Sequence, residues 1–119
     1  MNLKNETYLA IAEILGDGYK CYVNLETEEV HTAEKVKLED QKSNAYAEFV
    51  PLESTLTFGI MKDYCATVED FGKQSDLMEC LMYEQPFQNF KRKVYAIRLA
   101  DEWIAYRSNR ISTILQEKE

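Results

Sequence analysis

The chain is short of the residues that build tight loops, covalent staples and ligand cradles. It holds four glycines and two prolines in 119 residues, too few for collagen-like repetition or a low-complexity tail. No GxxxxGK[ST] or GxGxxG occurs, so a phosphate-cradling loop has little to be built from. The three cysteines, Cys21, Cys65 and Cys80, form no CxxC pair and leave one over, which fits a reducing, cytoplasmic compartment better than a disulfide scaffold. There is one histidine, His31, with no HxxxH or HExxH around it, so a metal site would have to be assembled entirely by the fold. Long apolar runs are missing too. The first residues, MNLKNETYLAIAEILG, scatter charge through the segment, and neither an export signal nor a membrane span is expected. Positive charge is the minority sign, fourteen basic against twenty-one acidic residues for a net charge of −7, which disfavours indiscriminate binding to phosphate backbones or anionic membranes.

What is present is a globular composition, 45% hydrophobic and 29% charged. A chain of this length buries roughly 65% of its unfolded surface, enough for a core, and the expectation is one domain over residues 1–119. Asn5 is expected to cap a first helix whose Tyr8, Ile11, Ala12 and Leu15 recur at helical spacing, with Gly16 as its left-handed end. Asp17-Gly18 then turns the chain into a strand at Tyr19 to Asn24, where Tyr19, Cys21 and Val23 alternate with Lys20, Tyr22 and Asn24. A second short strand is expected at Glu29 to Thr32. Leu25 to Glu28 are few enough for a hairpin, yet contain no Gly or Asn to supply positive φ, so a loose turn is expected. Residues 33–44 read as an exposed connection with room for one helical turn, and Ala45 to Val50 as an extended edge segment stopped by Pro51.

Everything after Ser54 reads as helix. Ser54 is expected to cap a helix with Phe58, Met61, Cys65 and Val68 on one stripe, ended by Gly72. Ser75 is expected to cap a shorter one carrying Leu77, Leu81 and Met82. Pro86 suits the first turn of the next, whose stripe is Phe87, Phe90, Val94 and Ile97. Asp101 and Glu102 favour the start of a last helix through Trp103, Tyr106, Arg107, Ile111, Ile114 and Leu115. Only Leu99-Ala100 separates these two, short enough for one bent helix.

No catalytic constellation stands out. His31 reads as a surface or rim residue, the cysteines as small hydrophobes, and Glu26, Glu28, Glu29, Glu39 and Asp40 as solvated charge. Charge is uneven: residues 1–85 hold seven basic and seventeen acidic side chains, whereas residues 86–111 hold six and two. Lys91, Arg92, Lys93, Arg98, Arg107 and Arg110 are therefore the candidate binding surface, with Tyr95, Trp103 or Tyr106 nearby for stacking. The competing reading is that these cations rim the core or pair with the acidic amino half.

The order YKCYVNLETEEV, FVPLE, IMKDYCATVED and above all PFQNFKRKVYAIRLADEWIAYR resembles a family of small bacterial proteins grouped as uncharacterised protein family 0158. The likeness spans residues 19–107 and is sharpest at Phe87-x-x-Phe90-Lys91 followed by Leu99, Trp103, Tyr106 and Arg107. The resemblance implies a Gly in a Thr-Gly turn where this chain carries Glu28. It implies no activity.

The expectation is therefore an α+β protein with an amino-terminal helix, a small antiparallel sheet made of a hairpin plus an edge strand, and three to four carboxyl-terminal helices. The leading functional expectation is a non-enzymatic interaction or regulatory protein with itself or another protein as partner, since tyrosine-rich chains suit adhesive surfaces. The alternatives are nucleic-acid association through residues 86–111, and a small enzyme whose site only the fold assembles, with His31 and Cys65 the first residues to inspect. No cofactor, metal ligand or catalytic residue is assigned.

Overall fold

The computed structural model describes residues 2–118. The chain divides into two compact units, one comprising the segment up to Leu52 with the last residues from Ser108 onward, the other Glu53–Arg107. One helix, Ala100–Glu117, contributes to both.

In the first unit, helix α1 (Asn5–Gly16) turns Tyr8, Ile11, Ala12 and Leu15 inward, as their spacing predicts. Its ends differ from expectation. Lys4, not Asn5, is the N-cap, and the left-handed residue is Gly18 (φ +93°), two positions beyond Gly16. Asn5 is free to serve elsewhere: its Oδ1 accepts a hydrogen bond from Gln116 Nε2 at 3.2 Å, tying the start of α1 to the end of the last helix.

Three strands follow, β1 (Cys21–Asn24), β2 (Val30–Thr32) and β3 (Tyr46–Phe49), in the antiparallel order β2-β1-β3. β3 is an edge, as the proline after Val50 requires. Cys21 lies opposite Thr32 and Phe49, and Tyr22 opposite His31 and Glu48. The clean alternation expected of β1 does not hold: Tyr19 is 66% exposed and precedes the strand, while Cys21, Tyr22 and Val23 are all buried. Tyr22 is buried with Lys20 Nζ over its ring at 5.8 Å, and its hydroxyl donates to Glu48 Oε2 at 2.6 Å, the oxygen that Lys20 Nζ approaches at 3.6 Å. Residues 33–44 hold a 3₁₀ turn at Ala33–Lys35 and a single helical turn, α2 (Leu38–Gln41).

The hairpin is closed without glycine. Asn24 Oδ1 accepts from the backbone N–H groups of Glu26 and Thr27, and the Glu28 N–H donates to Asn24 O at 2.7 Å. Glu28 itself takes φ +61°, the position where the family resemblance implies Gly. A left-handed L-residue costs about 1–2 kcal/mol, and the Glu28 carboxylate supplies an offset no glycine has. Its Oε1 accepts from the Lys4 N–H at 3.0 Å and from Thr7 Oγ1 at 2.8 Å, satisfying a donor at the start of α1.

The second unit is helical: α3 (Ser54–Thr67), α4 (Phe71–Met82), α5 (Pro86–Ala96) and the first turns of α6 (Ala100–Glu117). The N-cap of α3 is Glu53, and α3 stops at Thr67, not at Gly72, where Val68 turns extended. α4 then starts five residues earlier than a cap at Ser75 would place it, because Asp70 caps it by accepting from the Lys73 N–H at 3.0 Å. Gln74 Nε2 donates to Cys65 O at 2.8 Å and fastens α4 to α3.

The core of this unit is aromatic. Phe90 (0% exposed) and Trp103 (4%) meet edge-on with centroids 4.9 Å apart, and Tyr64 lies 5.3 Å from both Trp103 and Tyr106. α5 and α6 are separate helices, not one bent one. Leu99 N–H donates to Val94 O and Arg98 N–H to Tyr95 O, with Arg98 at φ +62°. That is a Schellman closure in which arginine stands where glycine is usual.

Two expected outcomes follow from these left-handed residues. Arg98→Gly removes a Cβ penalty at an exposed position and raises stability by up to about 1 kcal/mol, read as a thermal midpoint a few degrees higher. Glu28 has its carboxyl held below the usual range by the Lys4 N–H first and Thr7 second, so its contribution is full above the unfolded pKa and is lost as pH falls through the folded one. Glu28→Gln therefore lowers the midpoint at neutral pH, and the gap to the parent chain closes in acid.

Candidate interaction surface

Helix α4 has more apolar surface than its packing uses. Leu77, fully buried, is its inward anchor. Phe71, Met78 and Met82 recur at i, i+7 and i+11, a second stripe on the other side of the helix, and they are 81%, 52% and 80% exposed. Tyr83, just past the helix end, is also exposed. Met82 is thus not the core residue its neighbour Leu81 suggests, and Phe87 on α5, also expected in the core, is likewise exposed. The cause is the register set by Asp70: capping there brings Phe71 into the first turn and aligns it with Met78 and Met82.

Two depressions adjoin the ridge. One, of about 280 Å³, runs toward α3 and is lined by Phe58, Lys62, Leu81 and the two methionines. The other, of about 470 Å³, spans the exposed face of α4 itself and is lined by Phe71, Gln74, Ser75, Glu79, Tyr83 and the same two methionines. The ridge is therefore a raised apolar line with a cation on one side and a carboxylate on the other. Neither Lys62 nor Glu79 makes an ion pair among the described residues.

The cations singled out from sequence do not form one stripe. Lys91 and Arg92 are exposed on α5, Lys93 is half-buried there, Arg98 occupies the turn after it, and Arg107 is half-buried on α6. Arg110 belongs to the other unit. What the fold does bring together is Arg92 and Lys93, on one wall of a groove of about 430 Å³ between α4 and α5, facing Asp76 and Glu79 on the other. Carboxylates on the same groove offset the attraction of those cations for a phosphate backbone.

The residues proposed for chemistry are each placed within their own unit. His31 lies on β2, in the first unit, with Nε2 3.1 Å from Glu29 Oε2, an exposed contact. Cys65, in the second, is buried, and burial pushes its thiol up to about 11; burial does the same to Cys21. Cys80 borders the charged groove, and its thiol is also raised, by burial first and only partly opposed by Lys93. Thiols so placed are poor nucleophiles. Among the described residues no three His, Cys, Asp or Glu side chains are gathered as a metal ion needs, and no helix is long and apolar enough to cross a membrane.

These features define a small α+β protein whose distinctive part is an aromatic-cored helical unit with an uncovered apolar ridge. The chain belongs to the Uncharacterised protein family (UPF0158), whose profile matches residues 8–117 and so takes in elements of both units. No curated protein matches the chain, and no solved structure does either.

The thiols provide a check on this placement. In the native protein at mildly alkaline pH, iodoacetamide is expected to modify Cys80 first, and Cys21 and Cys65 only after denaturant is added, read by mass spectrometry of the digested chain.

Proposed function

We propose that the chain is a non-enzymatic interaction protein and that the ridge of α4 is its binding surface, occupied by a second protein chain. The observation that carries this reading is the exposure of Phe71, Met78, Met82 and Tyr83 together on one helix and its end. An aromatic side chain buries about 150–250 Å² when fully covered, so Phe71 and Tyr83 at their exposures, with the two methionines beside them, present apolar surface of the order of 500 Å². That is at the upper end of what a monomer carries without use. Methionine suits such a surface because its unbranched, polarizable side chain adapts to a partner's shape. The raised thiols of Cys21, Cys65 and Cys80 and the exposed His31–Glu29 contact support the same reading over an enzymatic one. The carboxylate wall facing Arg92 and Lys93 argues in the same direction against a nucleic-acid ligand.

The ridge is tested by substitution. Met78→Asp places a charge in the middle of the stripe while leaving Leu77 and the aromatic core intact. It is expected to abolish association of the folded chain with itself or with any captured protein, whereas Tyr19→Asp, on an exposed residue of the other unit, is expected to leave association unchanged. Equal binding by the two variants, with circular dichroism showing both folded, removes the ridge as the binding surface.

A further inference from the structure

We infer that the occupant of the ridge is a second copy of this chain, related by a two-fold axis running parallel to α4. This rests on the ridge being the binding surface and adds who binds it and in which orientation. Three observations point to a second copy. The ridge of Met78 and Met82 borders the depression toward α3, so the surface presents both the knob and the hole that a self-complementary interface needs. Its four exposed side chains supply roughly 500 Å² of apolar area, the larger share of the ~800 Å² per partner of a standard interface. The flanks differ in charge, Lys62 lining the depression toward α3 and Glu79 standing on the other side of the ridge, where it also borders the groove that Arg92 and Lys93 line, and neither Lys62 nor Glu79 makes an ion pair among the described residues.

The flanking charges select the orientation. Across the ridge the order is Lys62 with the depression it lines, then Met78 and Met82, then Glu79. A two-fold axis parallel to α4 reverses that order in the facing copy. A shift of half a helix width then seats each ridge in the Lys62-side depression of the other copy. Lys62 of one copy then approaches Glu79 of the second copy, twice by symmetry. A two-fold axis perpendicular to α4 within the interface keeps the order instead, bringing lysine to lysine and glutamate to glutamate. Opposite charges at an interface rim fix register and exclude the wrong arrangement more than they add affinity. Lys62 and Glu79 thus favour the parallel arrangement.

The experiment is sedimentation equilibrium of the full chain from micromolar to millimolar concentration at low ionic strength, with the parent chain, Lys62→Glu, Glu79→Lys and the double variant. Both residues are exposed, so folding is retained, and circular dichroism verifies it. A concentration-dependent dimer is expected, weakened about tenfold by either single reversal and restored by the double reversal. Single reversals that leave the dimer unchanged or tighten it overturn the parallel arrangement. A parent chain that stays monomeric at millimolar concentration overturns the second copy as occupant. In that case capture of another protein that Met78→Asp abolishes keeps the ridge as a binding surface, and capture indifferent to Met78→Asp overturns both readings.

Discussion

The edge-on meeting of Phe90 and Trp103 is the contact around which the helical unit is arranged. Phe90 comes from α5 and Trp103 from α6, so the two rings meet only if the chain reverses sharply between those helices. That reversal is the left-handed Arg98 with its two closing hydrogen bonds, from Leu99 N–H to Val94 O and from Arg98 N–H to Tyr95 O. Tyr64 of α3 completes the cluster, 6.4 Å from Phe90 and 5.3 Å from Trp103. Its hydroxyl is buried without a hydrogen-bond partner among the described residues, a desolvation cost accepted where three helices meet through aromatic faces.

Scarcity of glycine shapes the rest. Among the described residues three non-glycine residues, Glu28, Gln85 and Arg98, take positive φ, and each sits at a junction: the β1–β2 hairpin, the entry to α5 and the break before α6. A chain with more glycine would cross these points without strain. Here local bonds compensate, most clearly at Glu28, whose carboxylate binds the beginning of α1. The hairpin and the first helix are thereby coupled through a side chain that glycine would not provide.

Elements whose apolar residues face one way were legible from the sequence. α1 and the Phe90–Val94 stripe of α5 are where spacing puts them, because a helix with one buried face has one periodic signal. The edge position of β3 follows from Pro51 for an equally local reason. Helix ends were less legible. Asn5, Ser54 and Ser75 all look like caps, yet Lys4, Glu53 and Asp70 precede the helices instead, since a cap is chosen by the path of the chain into the helix as well as by residue type. The ridge was hidden by that same ambiguity. With α4 begun at Ser75, Phe71 lies outside the helix and Met82 reads as core; with Asp70 as the cap, Phe71, Met78 and Met82 align on a face apart from Leu77.

Composition and short-range periodicity were enough for the class of fold, the acidic balance, the core places of Phe90 and Trp103 and the likeness to a family with no assigned activity, though not for Phe87, which spacing puts in the core and packing leaves exposed. Which apolar residues remain uncovered, and which charges flank them, emerged from the packing of the helices. Burial of one helix face leaves the opposite face to whatever the neighbouring helices do not reach, and that is a property of packing with no counterpart in local spacing.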